Sequence, residues 1–405
     1  MPDQFNLKDI YEQNLNFLIG AGASHGFLPT LALEIKDDDG KKHTFETLAK
    51  IFESNSEMKC LLFMLYYREC IKPGLPCILP KGVPAPPRAP VKEAVIREYK
   101  LFINTLIRVL DRQRDSAKKA NIFTTNYDNC IETACEELLT LRVSPFYVND
   151  GSSGFQKRIF HTKNFNNRVV NKGAFGRYDQ IIPQINVLHA HGSVHWEKGA
   201  RDGEIELNYG MSNYIIQFDE AEDKIIDQFK AILYDANKTN NDIEEFYSSD
   251  DFKLSRIDEF WRKYNEMPIV NPTKWKFHET VFEEAYYQIL RHLSYELERE
   301  NTVLVTFGFS FADEHILTLV QRSLSNPSLT VFISCFNESE LRWMKDKFNG
   351  YQNVKFIYSE NDLLDFRTFN NSIFTLHPQK EEHDKVPLPN ETEPVLGGKN
   401  EYRYR

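Results

Sequence analysis

The stretch Ile122-Phe-Thr-Thr-Asn-Tyr-Asp128 begins with two apolar residues and ends on hydroxyl, carboxamide and carboxylate side chains, and a helical pattern follows it. This layout is typical of a strand that carries polar groups to the edge of a sheet. Two further stretches share it, Leu15-Asn-Phe-Leu-Ile-Gly-Ala-Gly-Ala-Ser24 and Val187-Leu-His-Ala-His-Gly-Ser193. If these strands are parallel, their turns meet at the carboxyl edge of one sheet, where open α/β folds bind ligands.

The second half of the chain alternates between strand and helix patterns. Apolar runs at 302–307, 329–336 and 354–359 alternate with helical periods at 279–300, 313–324 and 338–348. Strands separated by helices of this length indicate parallel βαβ units. We therefore predict an α/β fold, with a Rossmann-like doubly wound parallel sheet and helical insertions.

The order of these patterns predicts four parts of the chain. Residues 1–196 form the first part of the nucleotide-binding core, with a proline-rich excursion at 71–90. An inserted helical subdomain follows at 197–278, residues 279–376 complete the core, and 377–405 have the polar composition of a flexible tail. The basic residues between 157 and 177 leave two interpretations open, a lid or phosphate-facing patch and a solvated loop.

Composition excludes several classes of protein. The 405 residues, 41% hydrophobic and 13% aromatic, are typical of a globular chain long enough for more than one domain. A formal charge of −10 argues against a nucleic-acid grip over the whole surface and leaves direct nucleic-acid binding open only for a local basic patch. Neither a signal-peptide pattern nor a run of eighteen apolar residues occurs, so we expect a cytoplasmic protein without membrane contact.

Cysteine and histidine spacing does not predict a metal site. The six cysteines contain no Cys-x-x-Cys pair, so they read as buried thiols in a reducing compartment. His189, His191 and His195 raise the alternative of a metal centre, but Trp196-Glu197 beside them adds too few ligands. We expect no metal and no zinc.

The first turn carries glycines that suit a nucleotide. In Gly20-Ala-Gly22-Ala-Ser24, glycine would let the backbone approach a pyrophosphate closely. With the third glycine at Gly26, the spacing is one residue longer than the Gly-x-Gly-x-x-Gly fingerprint, which disfavours a hydride-transfer enzyme. For Asn126 and Asp128 the alternative is structural, since these residue types also turn chains and cap helices.

The three turns together are more specific than each alone. The combination Gly-Ala-Gly-Ala-Ser, Thr-Thr-Asn-Tyr-Asp and His-Gly-Ser, in this order and each ending a strand, resembles the sirtuin (silent information regulator) family of NAD-consuming enzymes. Gly308-Phe-Ser310-Phe-Ala-Asp313 looks like that family's segment near the ribose, and Cys335-Phe-Asn337 looks like a strand end beside the adenosine. The resemblance covers about residues 10–30, 120–140, 185–196 and 300–362.

The resemblance implies a set of site residues. It implies that Asn126 and His191 are catalytic and that NAD+ is the substrate. The residues that it places around the dinucleotide are Gly20, Ala21, Gly22, Ser24, Thr125, Asp128, Gly308, Ser310 and Asn337.

Two departures separate this chain from the deacetylating sirtuins. Their Gly-Ile-Pro-Asp-Phe-Arg stretch is replaced by Gly26-Phe-Leu-Pro-Thr-Leu31, and their four-cysteine zinc module is missing. What remains resembles the sirtuin-like NADases of bacterial antiphage defence, which hydrolyse NAD+ to nicotinamide and ADP-ribose. A subunit of this length looks like the partner of a HerA-type ATPase or helicase, so the resemblance implies that partner and a homo-oligomer of high order.

The chemistry of NAD+ agrees with hydrolysis by these residues. Nicotinamide is a pyridinium that leaves as a neutral molecule, so the reaction does not need the acid that an ordinary glycosidase supplies. The imidazole of a histidine has an unperturbed pKa near the working pH, so His191 could take a proton from water or a ribose hydroxyl, while Asn126 holds the water or the ribose. Two alternatives stay open, an NAD-dependent protein deacylase and a non-catalytic NAD-sensing regulatory subunit.

Overall fold

The computed structural model describes residues 5–75, 88–142, 144–172, 179–201, 203–210, 214–249, 252–271, 283–359 and 362–376, with only the backbone of Ser116 and Glu283. The predicted tail at 377–405 and most of the proline-rich excursion at 71–90 lie outside these residues.

A seven-stranded parallel sheet organises the described chain. In chain order its strands are β1 (Asn14–Ile19), β2 (Lys119–Thr124), β3 (Tyr147–Asn149), β4 (Gln184–His189), β5 (Thr302–Phe307), β6 (Leu329–Ser334) and β7 (Val354–Ile357). Their order across the sheet is β7-β6-β5-β1-β2-β4-β3, and each neighbouring pair is parallel. The predicted fold class is confirmed.

The longer helices have the following bounds: α1 (Phe45–Ile51), α2 (Ser56–Tyr66), α3 (Ala89–Asp111), α4 (Cys130–Thr140), α5 (Glu220–Leu233), α6 (Asn240–Tyr247), α7 (Ile257–Tyr264), α8 (Glu283–Leu297), α9 (Glu314–Ser323) and α10 (Glu338–Lys347). Within the described part of the chain, no helix combines the length and the apolar character needed to cross a membrane.

Helices cover both faces of the sheet because its strands alternate between two apolar cores. Phe17 and Ile122 pack with α3 and α4 in one core. Leu18 and Phe123, one position along each strand, pack with α8, α9 and α10 in the other. Residues buried on both faces are expected of strands in a parallel sheet with helices on each side. This two-sided packing is the doubly wound arrangement.

The reversal of strand order lies at β1. From β1 the chain moves to β2 and β4 on one side and later to β5 on the other. Loops on the two sides of such a reversal leave opposite faces, which opens a crevice at the carboxyl ends of the strands. The turns after β1, β2, β4 and β5 therefore share one edge of the sheet.

A buried row of asparagines fixes the register of the central strands. Asn16, Asn121 and Asn186 lie directly opposite each other on β1, β2 and β4. Asn121 Nδ2 donates to Asn16 Oδ1 at 2.8 Å, and Asn186 Nδ2 donates to Asn121 Oδ1 at 2.8 Å. A slip of one residue would move these polar groups to the opposite apolar face, so the row favours one register.

The segment between 197 and 271 packs beside the core rather than within the sheet. Its helices α5 and α7 share an apolar cluster with α1 and α2, and Val194 and Ile269 belong to the same cluster. Strands Trp196–Lys198 and Ile205–Leu207 join Ile159–Phe160 and Ser152–Ser153 in a small sheet. The predicted division of the chain into four parts stays a prediction.

Candidate functional site

Two glycine turns contact each other at the carboxyl edge. Gly22 follows β1, and its N–H donates to the carbonyl oxygen of Gly308, after β5, at 2.9 Å. A Cβ at Gly22 would lie 2.6 Å from Gly308 Cα, and a Cβ at Gly308 would lie 2.6 Å from the nitrogen of Ala23. Gly308 also has φ +61°, which favours glycine. The glycines are thus required by the close approach of two protein loops.

Asn126 lies at the centre of a hydrogen-bond network beside these turns. Its Nδ2 donates to the carbonyl oxygen of Gly20 at 3.1 Å and to Ser24 Oγ at 3.2 Å. A carbonyl can only accept, so the amide nitrogen must face Gly20 and Oδ1 must point the other way. Oδ1 has no hydrogen-bond partner among the described residues and is not an enclosed atom. It is an acceptor available to a ligand.

Ser24 and Asp128 support Asn126 from below. Ser24 Oγ donates to Asp128 Oδ2 at 2.9 Å, because a carboxylate can only accept. Asp128 Oδ1 accepts from the backbone N–H of Cys130 at 2.9 Å, so the carboxylate also caps the start of α4. Both side chains are buried, at 1% and 3% exposure. The structure therefore places Ser24 and Asp128 on the buried side of the Asn126 carboxamide rather than on its solvent side.

Tyr99 closes the buried side of this network. Its hydroxyl comes from α3 and lies 3.5 Å from both Ser24 Oγ and Asn126 Nδ2. Burial raises the pKa of Tyr99 well above its ordinary value, and the Asp128 carboxylate adds to the effect. The hydroxyl stays neutral and offers the network both a proton and a lone pair.

His189 holds the backbone of Asn126. Its Nδ1 lies 3.0 Å from the carbonyl oxygen of Asn126, and its Nε2 lies 2.6 Å from Glu132 Oε1. Both partners accept, so both ring nitrogens donate in the protonated ring. Burial lowers the pKa of His189, but the Glu132 carboxylate outweighs it, and the pKa lies above its ordinary value. This contact was missed in the sequence, where His189 and Glu132 are 57 residues apart.

His191 comes from the turn after β4 and contacts Asp313. Its Nε2 lies 2.9 Å from Asp313 Oδ2. Its Nδ1 has no hydrogen-bond partner in the described ranges, and 16% of its side chain is exposed. Asp313, which stands just before α9, was quoted in the sequence motif but not assigned to the site. No sequence signal links the two residues, which are 122 positions apart.

The segment before residue 272 braces the turn that carries His191. The Val270 N–H donates to the carbonyl oxygen of His191 at 2.9 Å, and Ile269 bridges to Gly192. Tyr127 Oη donates to the Val270 carbonyl oxygen at 2.6 Å, which ties this segment to the turn after β2. The two turns are thereby held at a fixed distance from each other.

The remaining predicted residues take different places. Ala21 and Thr125 are half-buried in the turns after β1 and β2, and Ser310 is exposed in the turn after β5. Asn337 is exposed after β6 and accepts from the Glu340 N–H at 2.9 Å as the cap of α10. Within the described chain, no hydrogen bond or ion pair joins Ser310 or Asn337 to Asn126 or His191.

The third histidine of the sequence cluster has a structural environment. His195 is buried, stacks on Tyr209 at 4.7 Å between ring centroids, and donates through Nδ1 to the Asn208 carbonyl oxygen at 3.2 Å. Burial lowers its pKa below the ordinary value. No group of three or more His, Cys, Asp or Glu side chains in the described ranges is arranged to hold a metal ion.

An α/β protein with its polar site at the strand reversal belongs to the broad class that binds ligands at the carboxyl edge of the sheet. Residues 120–357, well over half of the chain, match the family model described as a SIR2-like domain, and the chain belongs to that family. Membership associates the protein with NAD in general terms. No curated protein matches the chain.

The residues of this edge fit NAD+. The matched range contains Asn126, His191, Gly308 and Asp313, and the fold places the earlier turn at Gly20 beside them. Asn126 Oδ1 and His191 Nδ1 are acceptors at the edge that suit ribose hydroxyls or a water molecule. Asn126 Nδ2 and His191 Nε2 already have hydrogen-bond partners in the protein. Their other polar atoms, Oδ1 and Nδ1, are left for a ligand.

Proposed function

We propose that the protein is an NAD+ glycohydrolase, which converts NAD+ and water to nicotinamide, ADP-ribose and a proton. The observation that carries the proposal is the pair of acceptors at the carboxyl edge, Asn126 Oδ1 and His191 Nδ1. Each has its other polar atom fixed by the protein, through Gly20 and Ser24 for Asn126 and through Asp313 for His191. Acceptors fixed in this way cost little reorganisation when the reaction occurs.

In the proposed reaction the bond between nicotinamide nitrogen and ribose C1′ breaks, and its electron pair stays on the nitrogen. Water then forms the new bond to C1′, and its proton is transferred to His191 Nδ1 and later to solvent. Asn126 Oδ1 accepts the second O–H of that water and orients its lone pair. General-base catalysis of this kind contributes about 100-fold to 10,000-fold.

We further propose that the activity serves antiphage defence by depleting NAD+ in the cytoplasm. The support is the resemblance of the three turns to sirtuin-like NADases of that class, together with membership in the SIR2-like family. An activity that drains NAD+ must be controlled, and we propose control by a high-order homo-oligomer assembled with a HerA-type ATPase. Two measurements test this part. One is co-purification with that ATPase, and the other compares NAD+ levels in infected cells that carry the wild-type protein or His191→Ala.

The test of the reaction is nicotinamide release from NAD+, by the protein alone and with a co-purified ATPase partner. We expect Asn126→Ala and His191→Ala to reduce release by about 100-fold or more. Matched controls are Asn171→Ala and His161→Ala, which change the same residue types at exposed positions. Both controls should keep the wild-type rate.

Two results would replace the proposal. Release only in the presence of an acyl-lysine peptide, with O-acyl-ADP-ribose as product, would identify a deacylase. NAD+ binding without turnover in each assembly state would identify an NAD-sensing regulatory subunit.

A further inference from the structure

Asp313 reaches His191 across the centre of the sheet. His191 follows β4 and Asp313 follows β5, and the strands β2 and β1 lie between them. Asp313 Oδ2 is 2.9 Å from His191 Nε2, and the carboxylate side chain is 7% exposed. The contact is therefore formed by two loops that meet above the strand reversal.

The carboxylate is held rigidly by the start of α9. Asp313 Oδ1 accepts from the His315 N–H at 2.9 Å and from the Ile316 N–H at 3.2 Å. The two oxygens thus have separate partners, one the helix and the other the imidazole. A helix cap alone requires only Oδ1, so the contact of Oδ2 with the histidine is additional to the cap.

The contact selects one form of the imidazole ring. An ionised carboxylate only accepts, so Nε2 must carry the hydrogen. In the neutral ring the lone pair then lies on Nδ1, the nitrogen without a protein partner in the described chain. When Nδ1 takes a proton, the same carboxylate stabilises the imidazolium that forms.

We propose that Asp313 is the positioning residue of the reaction, which fixes His191 in the Nε2–H tautomer and leaves Nδ1 as the base. This inference rests on the proposed hydrolysis of NAD+. It assigns no direct substrate contact to Asp313. The inference predicts which tautomer of His191 is present before any substrate binds.

The deciding variant is Asp313→Asn. Asparagine is also a good helix cap, so Oδ1 can keep both backbone hydrogen bonds of α9. Its Nδ2 would donate to His191 Nε2, which requires the Nδ1–H tautomer and removes the base. We expect kcat to fall by about 100-fold or more, with the KM for NAD+ changed by less than about threefold and the melting temperature by less than about 2 °C.

The tautomer is measured by long-range proton–nitrogen NMR on protein with 15N-labelled histidine, without NAD+. Wild type should show Nε2–H at His191, and Asp313→Asn should show Nδ1–H. Asp365→Asn is the matched control, because Asp365 also caps a helical turn, at Phe366–Thr368, through a 2.7 Å bond from the Thr368 N–H. It should leave both the spectrum of His191 and the rate unchanged.

The outcomes separate this inference from the proposed function. An unprotonated Nε2 in the wild type, or a wild-type rate in Asp313→Asn, would overturn the positioning role. If no assembly state releases nicotinamide, the proposed function fails, while the NMR result still decides how the two side chains are paired. Asp313→Ser, which keeps a cap and removes the partner of Nε2, should give an intermediate loss of kcat.

Discussion

Ser24 Oγ lies 2.9 Å from Asp128 Oδ2, although the two residues are 104 positions apart in the chain. The same hydroxyl accepts from Asn126 Nδ2 at 3.2 Å. The Asn126 carboxamide therefore donates to the Ser24 hydroxyl, and the hydroxyl in turn donates to the Asp128 carboxylate. This relationship connects the turn after β1 to the turn after β2. The hydrogen bond to Ser24 helps to fix the orientation of the Asn126 carboxamide, whose Oδ1 faces the side where a ligand would bind.

Ser24→Ala should therefore affect both stability and rate. It removes the donor to a buried carboxylate and the acceptor of Asn126, so we expect the free energy of unfolding to fall by about 1–3 kcal/mol. Nicotinamide release should fall by about tenfold, because the carboxamide loses one of its fixed partners. Urea denaturation and initial rates measure the two effects. The matched control is Ser144→Ala, which removes a half-buried hydroxyl that donates to Asp111 Oδ2 at 3.4 Å, and it should change neither. Equal losses in both variants would contradict this role of Ser24.

Gly308→Ala tests the contact between the glycine turns. Its φ of +61° disfavours a side chain, and its new Cβ would also meet the Ala23 nitrogen at 2.6 Å. We expect a loss of about 3 kcal/mol or more in the free energy of unfolding. Gly350→Ala is the matched control, because Gly350 has φ +90° with nothing within 4 Å of its Cβ, and it should cost about 1 kcal/mol. Equal urea midpoints for the two variants would contradict a steric clash between the new Cβ at position 308 and the Ala23 nitrogen.

The pair His189 and Glu132 should make stability depend on pH. The folded-state pKa of His189 is raised, so the folded protein binds its proton more tightly than the unfolded chain does. The contribution is fully present below the unfolded pKa of about 6.5 and is lost as pH rises through the folded pKa. Glu132→Gln removes the charge that raises this pKa. The difference in unfolding free energy between wild type and Glu132→Gln should shrink as pH rises through this range; a constant difference would contradict the pairing.

His195 should act in the opposite direction. Its folded-state pKa is lowered by burial, so its neutral form is favoured in the folded protein. Its contribution is present above the unfolded pKa and is lost as pH falls through the folded pKa. His195→Gln should therefore flatten the acid side of the stability curve. Thermal denaturation between pH 5 and about 8 would show this, with the exposed His161→Gln as the control.

The asparagine row should be costly to interrupt at its centre. Asn121→Ala would leave Asn16 Oδ1 without its donor and Asn186 Nδ2 without one of its acceptors. Because both atoms are buried, we expect a loss of about 2–4 kcal/mol in the free energy of unfolding. The exposed Asn349→Ala should lie within about 0.5 kcal/mol of wild type. Joint replacement of all three asparagines by apolar residues should recover part of the loss.

Sequence patterning predicted much of the fold. The strand predicted at 302–307 has the same bounds in the structure, and the strand predicted at 329–336 ends two residues earlier, at Ser334. The edge strand β3 was missed, because its three residues, Tyr147–Asn149, are too few to show a period of two. Strand Ala32–Lys36 was likewise missed in the sequence. Short strands are formed by their pairing partners more than by their own pattern.

The sequence predicted where the candidate site lies, but it did not predict most of the contacts within the site. The three turns do meet at one edge, since parallel strands bring their carboxyl ends together. Ser24 and Asp128 were expected to line the dinucleotide pocket, and the structure places them buried beneath Asn126. Their predicted roles toward NAD+, like those of Asn126 and His191, stay predictions. The supporting residues His189 and Asp313 were not assigned from the sequence.

The sequence by itself determined the strands, the turns that end them and the residue types available at those turns, because the patterns that encode them are local. Only the tertiary structure decided which turns touch, since that depends on the order β5-β1-β2-β4 across the sheet. It paired His191 with Asp313 and Asn126 with Ser24, and so decided which nitrogen and which oxygen face outward. A hydrogen bond between loops more than 100 residues apart has no period in the sequence, because it arises from the packing of the strands that carry them.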